Sequence, residues 1–243
     1  MTRSIRLLVW PSVPELRRGC GDFVHLVILF LNALILVPVT LLPIINPLAT
    51  APVFVATFGG NRAVAQRLAR QIAINSWFVM VASMLLGTHI LALFGISLPV
   101  VRLGGGLLLA AAGWRMLHHA EDDDVHSAAA EEAAALTDTE VMRRSFFPMT
   151  FPLTTGPGTI AASIALGAQV LTTPFWVYLV GAFALAAGAA LVSLVLYFLF
   201  GNAASVLRWL GEIGTLVMMR LMAFILLCVG IQIMWNGWAE LNK

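Results

Sequence analysis

The stretch Pro43-Ile44-Ile45-Asn46-Pro47-Leu48-Ala49-Thr50-Ala51-Pro52 sets three prolines and an asparagine inside an otherwise apolar run. Proline lacks an N–H and pushes the residue before it out of the helical region, so a helix entering this run is expected to break and restart. The same pattern returns in Pro148-Met149-Thr150-Phe151-Pro152-Leu153-Thr154-Thr155-Gly156-Pro157. Pro43, Pro47, Leu48, Thr50 and Pro52 align without a gap on Pro148, Pro152, Leu153, Thr155 and Pro157. Two broken segments in register point to a duplicated structure. The match is not complete, because Phe151 stands where the first copy has Asn46.

The composition puts these breaks in a membrane. Of the 243 residues, 60% are hydrophobic and 11% charged, where soluble domains carry about 25% charged residues. A spanning helix needs about 20 apolar residues. Six candidate spans meet that requirement: 23–58, broken at Pro43 to Pro47; 72–94; 100–117; 146–170, broken at Pro152 to Pro157; 174–200; and 216–239. The expected fold is an all-α, polytopic membrane protein of six transmembrane helices. A signal peptide is not expected, since residues 1–22 hold Arg3, Arg6, Arg17 and Arg18 with no long apolar core. They form an N-terminal extension.

Residues 119–145 form one hydrophilic stretch carrying eight of the twelve carboxylates, from Glu121 to Glu140, as a surface helix or a disordered linker. It separates a first three-helix repeat, 23–118, from a second, 146–243. Three spans per half give the halves opposite orientations, so the expected plan is an inverted-topology repeat. Arg62, Arg67, Arg70, Arg115, Arg143, Arg144 and Arg208 flank one face and the N-terminal arginines and Lys243 the other, which places both termini outside by the positive-inside rule.

Irregular backbone at membrane depth survives only against protein or a wet cavity. A helix restarting after Pro47 would aim the N–H groups of Leu48, Ala49 and Thr50 into the bundle. One restarting after Pro157 would do the same with Gly158, Thr159 and Ile160. Such ends carry about half a positive charge and suit a carboxylate. Asn46, Thr50, Thr154, Thr155 and Thr159 add polar side chains, while Gly156 and Gly158 permit close backbone approach. Asn46, Pro47, Thr50, Thr154, Thr155, Gly156, Gly158 and Thr159 are therefore the candidate substrate-binding residues. The competing reading is a pair of kinks that only shape the bundle, with the threonines bonding back to their helices.

No span carries an interior carboxylate, which argues against a buried acidic proton relay. His89 is the one histidine deep in a span. Arg102 and Arg220, at matched positions of the third and sixth spans, are candidates for attracting an anion or closing a gate, or for snorkelling to the interface. Cys20 and Cys228 lie far apart and form no metal or disulfide pattern. Scattered arginines give no nucleic-acid surface. Motifs for nucleotide binding, nucleophilic catalysis or zinc chemistry are lacking, so an enzyme is not expected. The excess of arginine over lysine fits a GC-rich bacterial genome.

These motifs, with Phe94-Gly95-Ile96-Ser97-Leu98-Pro99, Arg102-Leu103-Gly104-Gly105-Gly106, Arg220-Leu221-Met222, Gly230 and Asn236-Gly237, resemble those of the MarC family over residues 25–240. A related branch, the SnatA-like proteins, is described as transporting small neutral amino acids. The resemblance implies six spans, a location in the bacterial inner membrane and that substrate class. The leading expectation is a secondary transporter of a small solute working by alternating access, with no cofactor and with H+ or Na+ open as the coupling ion. The alternative is a non-transporting membrane protein that scaffolds or regulates a partner through the acidic stretch. The oligomeric state is open.

Overall fold

The computed structural model describes residues 21–57, 62–118, 145–168 and 175–242, and all regular structure among them is helical. The N-terminal extension up to residue 20 and the acidic stretch 119–144 lie outside the described residues. Helix α1 (Gly21–Ile45) passes through Pro38 and Pro43 without ending, and α2 (Pro47–Thr57) follows after a single non-helical residue, Asn46. The first break is thus narrower than Pro43 to Pro47. Two things concentrate it at Asn46. Pro47 disfavours the helical conformation in the residue before it, and asparagine tolerates the left-handed region better than most side chains. Asn46 takes that conformation, with φ 49°, and α1 and α2 meet at a bend of 51°.

Helices α3 (Arg62–Leu93) and α4 (Leu98–His118) form the rest of the first half. α3 begins ten residues before the apolar run at 72, because Arg62 to Arg70 continue the helix outside it. Its C-terminus closes in a Schellman motif. Gly95, at φ 67°, bonds through its N–H to Ala92 O at 3.1 Å, and Ile96 N–H reaches Leu91 O at 2.9 Å. Leu98-Pro99 then opens α4, where proline's missing N–H costs nothing.

The second half opens differently. Ser145–Thr154 is a π-helical segment of ten residues, long for a form that normally occurs as single turns. After Thr155 and Gly156 the chain restarts as α5 (Pro157–Ala168). Then come α6 (Phe175–Gly201) and α7 (Ala203–Leu241), the latter kinked at Gly211. The expected span 216–239 is therefore the inner part of a longer helix.

Length and apolarity qualify α3, α4, α6 and α7 as membrane-spanning, and the bent α1–α2 pair makes a fifth candidate. Neither the π-helical segment nor the 12-residue α5, which together occupy the expected span 146–170, is long enough to cross alone. The outer faces carry large exposed apolar side chains, among them Phe78, Phe183, Phe198 and Phe224. A water-soluble surface does not tolerate so many. This is a multi-pass membrane protein.

The most closely packed helices are the antiparallel pair α4 and α7. An added Cβ at Gly106 would lie 2.5 Å from Met234 N and 2.6 Å from Gly230 O, one at Gly113 2.6 Å from Leu227 N, and one at Gly237 2.7 Å from Pro99 O. Backbone therefore meets backbone along the whole seam, as small residues allow in membrane bundles. Elsewhere the core is ordinary: Phe54 of α2 stacks on Phe200 of α6 at 4.9 Å, both fully buried.

Candidate functional site

Asn46 at the first break and Thr155 at the second are buried, and the elements flanking the two breaks touch: α2 packs on the π-helical segment and α1 on α5. Asn46 is the notable residue. Its side chain is 4% exposed, and neither Nδ2 nor Oδ1 has a hydrogen-bond partner. A carboxamide can make about four hydrogen bonds. Burying it with none costs about 1–3 kcal/mol. Its backbone is fully engaged: the N–H reaches Leu42 O at 3.0 Å, while the carbonyl accepts from Ala49 N–H at 3.1 Å and Thr50 N–H at 3.4 Å.

Those bonds correct one expectation. Ala49 and Thr50 do not present free N–H groups, because the Asn46 carbonyl turns back to cap them. At the second break, Ile160 N–H is likewise taken, by Gly156 O at 3.1 Å. Gly158 and Thr159, in the first turn of α5, remain without an intrahelical acceptor by the geometry of any helix start. Both are buried; at α2 the same geometry leaves only Leu48 N–H without an intrahelical acceptor, so α5 is the stronger anion-favouring end.

The threonines are spoken for as donors. Thr154 Oγ1 donates to Met149 O at 2.7 Å and Thr155 Oγ1 to Thr150 O at 2.9 Å, in the same five-residue pattern that Thr150 makes to Ser145 O at 2.6 Å. These hydroxyls sustain the π-helical segment alongside its backbone bond from Thr155 N–H to Thr150 O. Pro148 and Pro152 contribute no N–H to that ladder. Thr50 Oγ1 donates to Pro47 O at 3.2 Å. The bonding-back reading thus holds for the donor hydrogens of Thr50, Thr154 and Thr155, which keep lone pairs for accepting. Pro47 is buried as the first residue of α2, and Gly156 caps α5.

Arg102 forms an ion pair with Glu240 across the paired ends of α4 and α7, and Arg220 is exposed on α7. Neither belongs to the buried polar set. His89 is also exposed. The fold adds polar residues that the motif comparison passed over. The hydroxyls of Ser76 on α3 and Ser163 on α5 are buried with no partner. Ser163 lies one turn beyond Thr159 on the same face of α5, a spacing visible in the sequence. Ser76, one of two serines in a long apolar helix, carries no such signal.

A family model described as MarC family integral membrane protein matches residues 31–241, from the middle of α1 to the end of α7. The chain belongs to the MarC family. Among curated MarC relatives, a Citrobacter koseri protein described as inner membrane protein MarC is 32% identical over 209 residues, covering 84% of this chain and 93% of that protein. Proteins of the same description from Salmonella typhimurium and Escherichia coli O139:H28 are 31% and 32% identical over the same length. No solved structure matches the chain. The MarC match spans both breaks, so the Asn46 site lies wholly within the family region.

Proposed function

We propose that this MarC-family protein is an inner-membrane secondary transporter of small zwitterionic solutes, neutral amino acids foremost, working by alternating access between two inverted repeats. The observation that carries the reading is the unpartnered Asn46 carboxamide, buried at the bend between α1 and α2. A group that costs stability in the empty protein recovers it when a ligand supplies the missing hydrogen bonds. An amino-acid carboxylate suits the first-turn N–H groups of Gly158 and Thr159, where the α5 dipole contributes about 0.3–2 kcal/mol. The ammonium suits Asn46 Oδ1 and the acceptor lone pairs of the threonines. The chain's own groups thus hold charge of both signs without a buried ionised side chain.

The inverted repeat is supported by which elements touch. Exchanging α1, α2, α3 and α4 for the π-helical segment, α5, α6 and α7 turns each major contact into another one present. α2 with α7 becomes α5 with α4, α1 with α6 becomes the π-helical segment with α3, and α3 with α5 becomes α6 with α2. The antiparallel seam of α4 and α7 is what opposite orientations of the third and sixth spans require. The inner-membrane location follows the description of the relatives.

The test is uptake of labelled glycine, alanine and threonine into proteoliposomes, with sodium and proton gradients imposed in turn. Saturable uptake that falls at least tenfold in Asn46→Ala supports the reading. Uptake equal to that of empty liposomes with all three solutes counts against the substrate class, and uptake unchanged in Asn46→Ala counts against the site.

A further inference from the structure

A second feature lies on the membrane-facing side, where α3 and α6 leave a groove of about 560 Å³. Small side chains at Ala73 and Ala190 create it, Ile74 and Leu194 form apolar walls, and Trp77 braces it through a hydrogen bond from Nε1 to Ala186 O at 3.1 Å. Arg70 and Tyr197 also line it. That bond and the shared lining set the helices antiparallel, so the N-terminal end of α3 and the C-terminal end of α6 lie on one side of the membrane.

The depth of Arg70 can be worked out. From Ile72 to Leu93, α3 carries no formally charged residue, a stretch about 33 Å long at 1.5 Å per residue, matching the roughly 30 Å hydrocarbon core. Arg70 therefore sits at headgroup level, and Trp77 about 10 Å deeper, inside the leaflet. Arg70 is exposed. Neither α3 nor α6 contains an Asp or Glu to neutralise it. Ser193, 8% exposed and with its hydroxyl unpartnered, stands in the wall. The groove is thus cationic at headgroup level and apolar below.

We infer that this groove is a binding site for one anionic phospholipid, its phosphate on Arg70 and the upper part of an acyl chain between Ile74, Trp77 and Leu194. A second copy of the chain fits less well, since neither groove helix offers a carboxylate to meet Arg70. A zwitterionic lipid gains less there, since its own ammonium offsets the phosphate.

Native mass spectrometry of the full-length protein, titrated with phosphatidylglycerol and phosphatidylcholine, tests this. Wild type is expected to retain one phosphatidylglycerol in preference to phosphatidylcholine. Arg70→Gln lowers that retention about fivefold, the effect of one basic side chain near the headgroups, while Arg70→Lys keeps most of it. Ala190→Phe, which fills the groove from an exposed position, lowers retention of both lipids. Equal retention of the two lipids by wild type overturns the proposal. So does an Arg115→Gln variant losing as much as Arg70→Gln, which would mean diffuse surface charge. A dimer peak that Ala190→Phe abolishes, with lipid retention unchanged, assigns the groove to a second copy and overturns it as well.

Discussion

Replacing Asn46 by glycine removes two sources of cost at once. The unpartnered carboxamide costs about 1–3 kcal/mol, and the left-handed backbone, at φ 49°, is free for glycine. Against this stand about 0.5–1 kcal/mol of added unfolded-state entropy for glycine and the small void left by the side chain. The net expectation is a ligand-free protein more stable by about 1–2 kcal/mol, which at this chain length raises Tm by about 2–8 °C. Asn46→Ala also removes the carboxamide but puts a Cβ into the left-handed region, at about 1–2 kcal/mol. Less the unfolded-state entropy of about 0.5–1 kcal/mol that only glycine carries, it should melt about 1–4 °C below the glycine variant. Neither variant should show the upward shift that the proposed function predicts for wild type with a bound amino acid. Thermal unfolding of the purified protein, with and without glycine, alanine and threonine, measures all of these quantities. A glycine variant that melts well below wild type refutes the reasoning, because the carboxamide then has structural partners. An alanine variant as stable as the glycine variant refutes the backbone argument separately.

The α4–α7 seam predicts a sharp contrast between neighbouring glycines. Gly106→Ala drives a methyl into the backbone of Gly230 and Met234 and should lower stability by about 1–3 kcal/mol. Gly104→Ala, whose added Cβ meets nothing, should be neutral or stabilising by up to about 1 kcal/mol. Thermal melts of the two single variants check this, and equal losses would show that the seam is not where the helices touch. The Arg102–Glu240 pair, with Glu240 43% exposed, should show a double-mutant coupling of about 0.2–1 kcal/mol that shrinks with salt. Transport that collapses in Arg102→Ala but recovers in the double variant would instead make the pair a gate.

Much of the bundle was legible because membrane insertion depends on local composition. Apolar runs long enough to cross are visible residue by residue, and α3, α4 and α6 fall close to their expected places. Proline's effect is local too, so both breaks fall inside the expected proline-rich segments. They are narrowed to Asn46 in the first and to Thr155 and Gly156 in the second, since Pro43 and Pro152 stay within helix. Asn46 stood out as the one polar residue of its segment without a twin. Less was legible where partners decide. Thr154 and Thr155 look like ligand groups in the sequence, but the π-helical turn brings a carbonyl within reach of each hydroxyl. Ala49 and Thr50 look like open donors until the left-handed turn at Asn46 swings its carbonyl over them. Arg102 and Arg220 occupy matched positions, yet only Arg102 meets a carboxylate among the described residues.

The sequence by itself determined that this chain spans a membrane several times, that its helices break at two proline-rich segments in register, and that Asn46 is the odd residue among them. These follow from side-chain hydrophobicity and backbone chemistry, which act over a few residues. Only the tertiary structure decided which polar groups are already satisfied and which are not. That depends on distances between residues far apart in the chain and on the turn each backbone takes. By that measure the candidate site narrows from eight residues spread over two motifs to an unpartnered carboxamide at one break and an open helix start at the other.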